Sequence, residues 1–137
     1  MARSEFIHEV YEPDFIYGTL FGARIARDPL VLSDRGTVLD GAFYTAFQAL
    51  RECEESGEYG HIQAKFIIAP HPIHGDSPVV REEISVLWAH DILRGEIGRR
   101  LDFRPVESMD VRVRSLSPMW AKLGKQFLNT YDENIVL

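Results

Sequence analysis

Two imidazoles and a carboxylate crowd into one proline-bearing stretch, His71-Pro72-Ile73-His74-Gly75-Asp76. Imidazole nitrogens and carboxylate oxygens are the donors that divalent transition metals take, and the same groups pass protons near neutral pH. The stretch therefore defines a candidate enzyme site, with His71, His74 and Asp76 as acid–base groups or His71 and His74 as metal ligands. A metal would need further ligands, for which His61, His90 and Asp91 are the candidates. The spacing matches no zinc signature, and histidines beside prolines suit an ordinary solvated turn equally well. No cofactor is called for.

Those groups need elements to hold them. At about 100° per residue, Leu39, Ala42, Phe43, Ala46, Phe47, Ala49, Leu50 and Cys53 fall on one arc of Thr37–Ser56, with charged and polar residues opposite. This predicts an amphipathic helix that stops at Gly57, where glycine suits the left-handed position past a helix end. His61–Ala69 alternates, Ile62, Ala64, Phe66 and Ile68 on one side, and reads as a half-buried strand. Between it and Val79, three prolines and a glycine exclude regular structure.

The other segments are read from weaker signals. Phe15–Phe21 is rich in aromatic and β-branched residues and reads as a strand, with Gly18 at a bulge or a close backbone approach. Val79–Ala89 is ambiguous. Its period-2 set Val80, Ile84, Val86 and Trp88 favours a strand, while Ser77-Pro78 is a good helix start. Asp91–Leu101 reads as a short helix weakened by Gly95 and Gly98, and Met109–Leu116 as a strand. Ser117-Pro118 opens a last helix carrying Trp120, Leu123, Phe127 and Tyr131.

Strand, helix, strand, strand, helix, strand, helix is the resulting order. It predicts one α+β domain over residues 1–137, with an N-terminal arm (1–13) and a C-terminal tail (132–137). Its centre would be a mostly antiparallel sheet of about four strands, helices on one face, in the ferredoxin-like split βαββαβ order plus a C-terminal helix. The opposite sheet face would then carry Lys65, Ile67, Leu87, Arg112 and Arg114. Isolated apolar residues among arginines fit the core and rim of a protein interface.

Tyr17-Gly18-Thr19-Leu20 resembles the opening strand motif of the γ-glutamylcyclotransferase-like fold. That resemblance implies backbone groups holding an acyl substrate beside a catalytic glutamate. It covers four residues, and the chain departs from the family elsewhere. No later strand sets a glutamate in a Gly-x-x-Tyr context, and the helix at 37–55 interrupts where the family continues with strands. No membership follows.

Composition narrows the function classes. An apolar fraction of 45% and an aromatic fraction of 11% over 137 residues suit one packed domain. No run approaches the roughly 18 apolar residues that span a bilayer, and the first residues suit neither a secretory signal nor a transit peptide. The lone Cys53 sits on an apolar helix face, as a buried thiol of a cytoplasmic or otherwise reducing compartment would. The net charge of −6 disfavours nucleic acid and is unevenly spread. Residues 1–76 hold 6 basic and 12 acidic side chains, and residues 77–137 hold 9 of each.

The expectation is therefore a non-catalytic subunit, acting by self-association or by docking into a larger protein assembly. The alternative is a small hydrolase or transferase working at His71, His74 and Asp76.

Overall fold

A computed structural model describes residues 7–135. Residues 1–6 of the expected arm and 136–137 of the expected tail lie outside the described residues. The elements are β1 (Ile7–Val10), α1 (Glu12–Ala26), β2 (Val31–Ser33), α2 (Val38–Ser56), β3 (His61–Ala64), α3 (Pro78–Ala89), β4 (Leu93–Glu96), β5 (Arg100–Phe103), α4 (Glu107–Arg114) and α5 (Ser117–Asn134). The chain is α+β, as its pattern requires.

The strands do not form the expected four-stranded sheet. β1 and β3 pair in parallel, Ile7 opposite His61 and Val10 opposite Ala64. β2, β5 and β4 form a separate antiparallel sheet in that order. The ferredoxin-like order fails because three of its four strands, Phe15–Phe21, Val79–Ala89 and most of Met109–Leu116, are helical.

Each difference has a local cause. Pro13 occupies the first turn of α1, where its missing N–H costs nothing. The aromatic and β-branched content of Phe15–Leu20 reflects burial on nearly every side, not a pleated strand. Gly18 and Gly22 lie one turn apart and make a flat face against α5. A Cβ on Gly22 would stand 1.7 Å from the Trp120 carbonyl oxygen. At Gly18 itself the neighbour is the Trp120 indole rather than a backbone; the close backbone approach falls at Gly22. With Tyr17–Leu20 helical, the strand motif that suggested an acyl-binding site is not formed.

Pro78 likewise opens α3, so the Ser77-Pro78 start signal prevails over the alternation. Val80, Ile84 and Leu87 face the core, while Val86 and Trp88 stay exposed. Asp91–Leu101 is no helix but the hairpin β4–β5. Gly95 and Gly98 take positive φ, and a Cβ on Gly95 would meet the Arg100 carbonyl oxygen at 2.2 Å. In α4, Glu107 and Asp110 stand in the first turn and Arg112 and Arg114 in the last, complementing the helix dipole. That end-to-end charge pattern mimics alternation when counted at period 2. β3 stops at Ala64, although Phe66 and Ile68 beyond it remain buried.

The two helices with clean periodicity form as expected and build the core. α2 ends on Gly57 in the left-handed region, and α5 starts at Ser117-Pro118. Phe43 and Phe47 are buried against Phe15 of α1, Phe66, and Phe127 of α5, with ring centroids 4.7–6.4 Å apart. Val111, in the segment read as a strand, is 58% exposed on α4. Cys53 is buried, and burial pushes its thiol pKa up.

Candidate functional site

The His71–Asp76 loop is irregular, as expected, yet tightly braced. The His71 N–H donates to the Asp76 carbonyl (2.7 Å) and the Gly75 N–H to the His71 carbonyl (2.8 Å). His71 Nδ1 accepts from the N–H groups of Ile73 and His74, at 3.2 and 3.1 Å. The two imidazoles stack with centroids 4.8 Å apart and 26° between planes. Near-parallel rings aim their in-plane lone pairs side by side rather than at one point, and His71 has only Nε2 left to offer. His61 begins β3, and His90 and Asp91 follow α3. Among the described residues no three His, Cys, Asp or Glu side chains cluster as a metal would need.

The five expected interface residues do not share one sheet face. Lys65 and Ile67 are exposed on the segment after β3, Ile67 at 68%. Leu87 is 5% exposed and belongs to the core side of α3. Arg112 and Arg114 are on α4, where Arg112 pairs with Asp14 of α1 (3.1 Å) and Arg114 with Glu107 (3.0 Å). The reason is the helical state of Val79–Ala89 and 107–114, which removes the sheet that was to display them.

What the fold does build is a groove of about 460 Å³ between the start of α1, the second half of α3, and α4. Leu87 and Ile92, nearly buried, form its floor, and the exposed Val86 and Val106 stand at its lips with Pro13 and Met109 beside them. Glu83, His90, Ser108 and Arg112 supply its polar groups.

The α4 wall is pinned to α1 at two points. The fully buried Tyr17 accepts a hydrogen bond from the Val106 N–H (2.9 Å) and donates one to Asp110. Burial, and then the Asp110 carboxylate, push the phenol well above its ordinary pKa, so it stays a neutral donor. Arg112 to Asp14 is the second strap; Asp14 Oδ1 lies 3.1 Å from Nε without hydrogen-bond geometry, and Oδ2 takes the hydrogen bond.

The electrostatics of the groove centre on Glu83. Burial raises its pKa first, and the negative charges of Glu12 and Glu82 raise it further. Among the described residues, none of Glu12, Glu82 and Glu83 is engaged in an ion pair. Arg112 lines the same groove, but its guanidinium is already held by Asp14.

No family model, curated protein or solved structure matches this chain. The site stands on its own chemistry.

The α3 wall is fixed by a charge network that no motif in the sequence announces. Asp34 and Asp40 are wholly buried, and Arg81 of α3 lies between them. Its Nη1 and Nη2 donate to Asp34 at 3.2 and 2.9 Å, and Nε donates to Asp40 at 3.2 Å. The Ser77 N–H adds a bond to Asp40 (2.8 Å) and the Gly98 N–H one to Asp34 (2.9 Å). Burial opposes the charge on Arg81, yet the two carboxylates outweigh it and raise its pKa. The network ties the start of α2, the start of α3 and the β4–β5 turn into one unit. Asp34 looks like a turn residue and Asp40 like a solvated helix residue in one dimension, and no local pattern marks Arg81 as their buried partner.

Proposed function

We propose that this chain is a non-catalytic docking subunit, acting by self-association or by joining a larger protein assembly. The observation that carries this reading is the groove. Two rigidly held helices leave Val86 and Val106 in solvent around an apolar floor, which is the anatomy of a docking surface. The alternative reading, a small enzyme at His71, His74 and Asp76, draws less support. One nitrogen of His71 already accepts two backbone hydrogen bonds, and the stacked rings do not converge on a substrate position.

Partners are expected to be proteins. No described helix is long and apolar enough to cross a membrane, and nucleic acid remains disfavoured by the net charge of −6. A reducing, cytoplasm-like compartment suits the single buried thiol. Light scattering over a concentration series, at low and high salt, tests the self-association arm. A dimer or larger species that Val86→Asp with Val106→Asp dissociates, at unchanged circular dichroism, supports it. Parent and variant of equal monomeric mass throughout would remove self-association and leave only docking to a different protein.

A further inference from the structure

We infer that the groove between α1, α3 and α4 receives a segment of a partner protein in which a lysine or arginine stands next to an aliphatic side chain. This rests on the docking reading and adds the chemistry of the partner. The aliphatic requirement comes from the floor and lips, Leu87, Ile92, Val86 and Val106, which only apolar atoms can cover without stranding polar groups. The cationic requirement comes from the charge around them.

Covering the groove takes water from Glu83. An aliphatic occupant alone would leave that carboxylate more deeply desolvated, and an acidic one would add a further negative charge beside Glu83, on which Glu12 and Glu82 already act. The one fixed cation of the lining, Arg112, is held by Asp14. A lysine ammonium or arginine guanidinium supplies the missing charge while its own methylene stem lies on the valines. The raised proton affinity of Glu83 has the same origin, burial among like charges, and a bound cation would reverse it. The charges acting on Glu83 are those of Glu12 from α1 and its neighbour Glu82, while His90 and Arg112 line the same groove and Asp14 of α1 holds Arg112.

The test uses three probes with one aliphatic stem, hexylamine, hexanol and hexanoate, titrated into the full-length protein and followed by backbone and methyl NMR shifts. Saturable shifts confined to Val86, Ile92, Val106 and Met109 are expected, tightest for hexylamine and about ten-fold weaker for hexanoate. In Glu83→Gln the hexylamine affinity should fall about five-fold, towards that of hexanol, while hexanol itself is unchanged. Equal or tighter binding of hexanoate overturns the inference and makes Arg112 the reader of an acidic partner, with the docking reading intact. Hexanol, hexylamine and hexanoate binding equally well also overturns it, leaving an apolar site without charge preference. If no probe moves the groove signals, the docking reading falls with it. Dilution-dependent shifts of those same signals without any probe assign the groove to a second copy of the chain and overturn the inference of a different partner.

Discussion

Among the described residues Arg81 is the one cation paired with Asp34 and Asp40, and its removal should be felt throughout α3. Arg81→Met leaves Asp34 and Asp40 buried and uncompensated, and should cost about 3–5 kcal/mol of unfolding free energy in a urea titration. A loss below about 1 kcal/mol would mean that water, not Arg81, solvates those carboxylates. At Tyr17 the issue is hydrogen bonding. Tyr17→Phe strands the Val106 N–H and one oxygen of Asp110, at about 1–3 kcal/mol. Glu83 behaves in the opposite way, because its folded pKa is raised. The protonated form favours folding, so its contribution is fully present below the unfolded pKa and is lost as pH rises through the folded one. Glu83→Gln should therefore stabilise the protein at pH 7, by less than about 1 kcal/mol given its partial exposure, and the gain should vanish near pH 4. Thermal melts of both proteins at the two pH values check the sign.

At the scale of elements, the α1–α5 contact is the least forgiving. Gly22 faces the Trp120 carbonyl and Gly124 faces the backbone of Gly22 and Ala23, so neither neighbour can turn aside. Gly22→Ala should cost about 3 kcal/mol or more, read as a lower urea midpoint at unchanged m-value. Gly41→Ala in α2, where a Cβ meets nothing within 4 Å, should leave stability equal or slightly higher. The contrast separates a steric role from a conformational one. It also explains why α1 looks like a strand along the sequence. Two glycines in an aromatic stretch look like strand interruptions along the chain, and only the partner helix reveals them as a docking face.

Over the whole molecule, charge reversal of Arg112 and Arg114 is no neutral probe of assembly, although both residues look like free surface arginines in the sequence. Arg112→Glu sets a carboxylate against Asp14 and loosens the α4 wall of the groove. It should lower the melting temperature and disturb the signals of Val106 and Met109 whether or not the protein assembles. Lys65 and Ile67 lie outside that wall, and Ile67→Asp should leave the melt within about 0.5 kcal/mol of the parent. A larger loss would show that Ile67 is covered in solution, as a subunit contact would require.

The residues themselves determined α2, α5, the irregular loop before α3 and the burial of Cys53. Each follows from a local rule, a 3.6-residue apolar period, a proline at a helix start or a glycine past a helix end, which neighbours in the chain satisfy. Tertiary structure decided everything that depends on which polar groups lose water. Asp34, Asp40 and Arg81 become a buried network, and Glu83 becomes a half-buried acid in an apolar groove, only because elements far apart in the chain close over them. Desolvation is set by those distant contacts, and no periodicity along the chain encodes it.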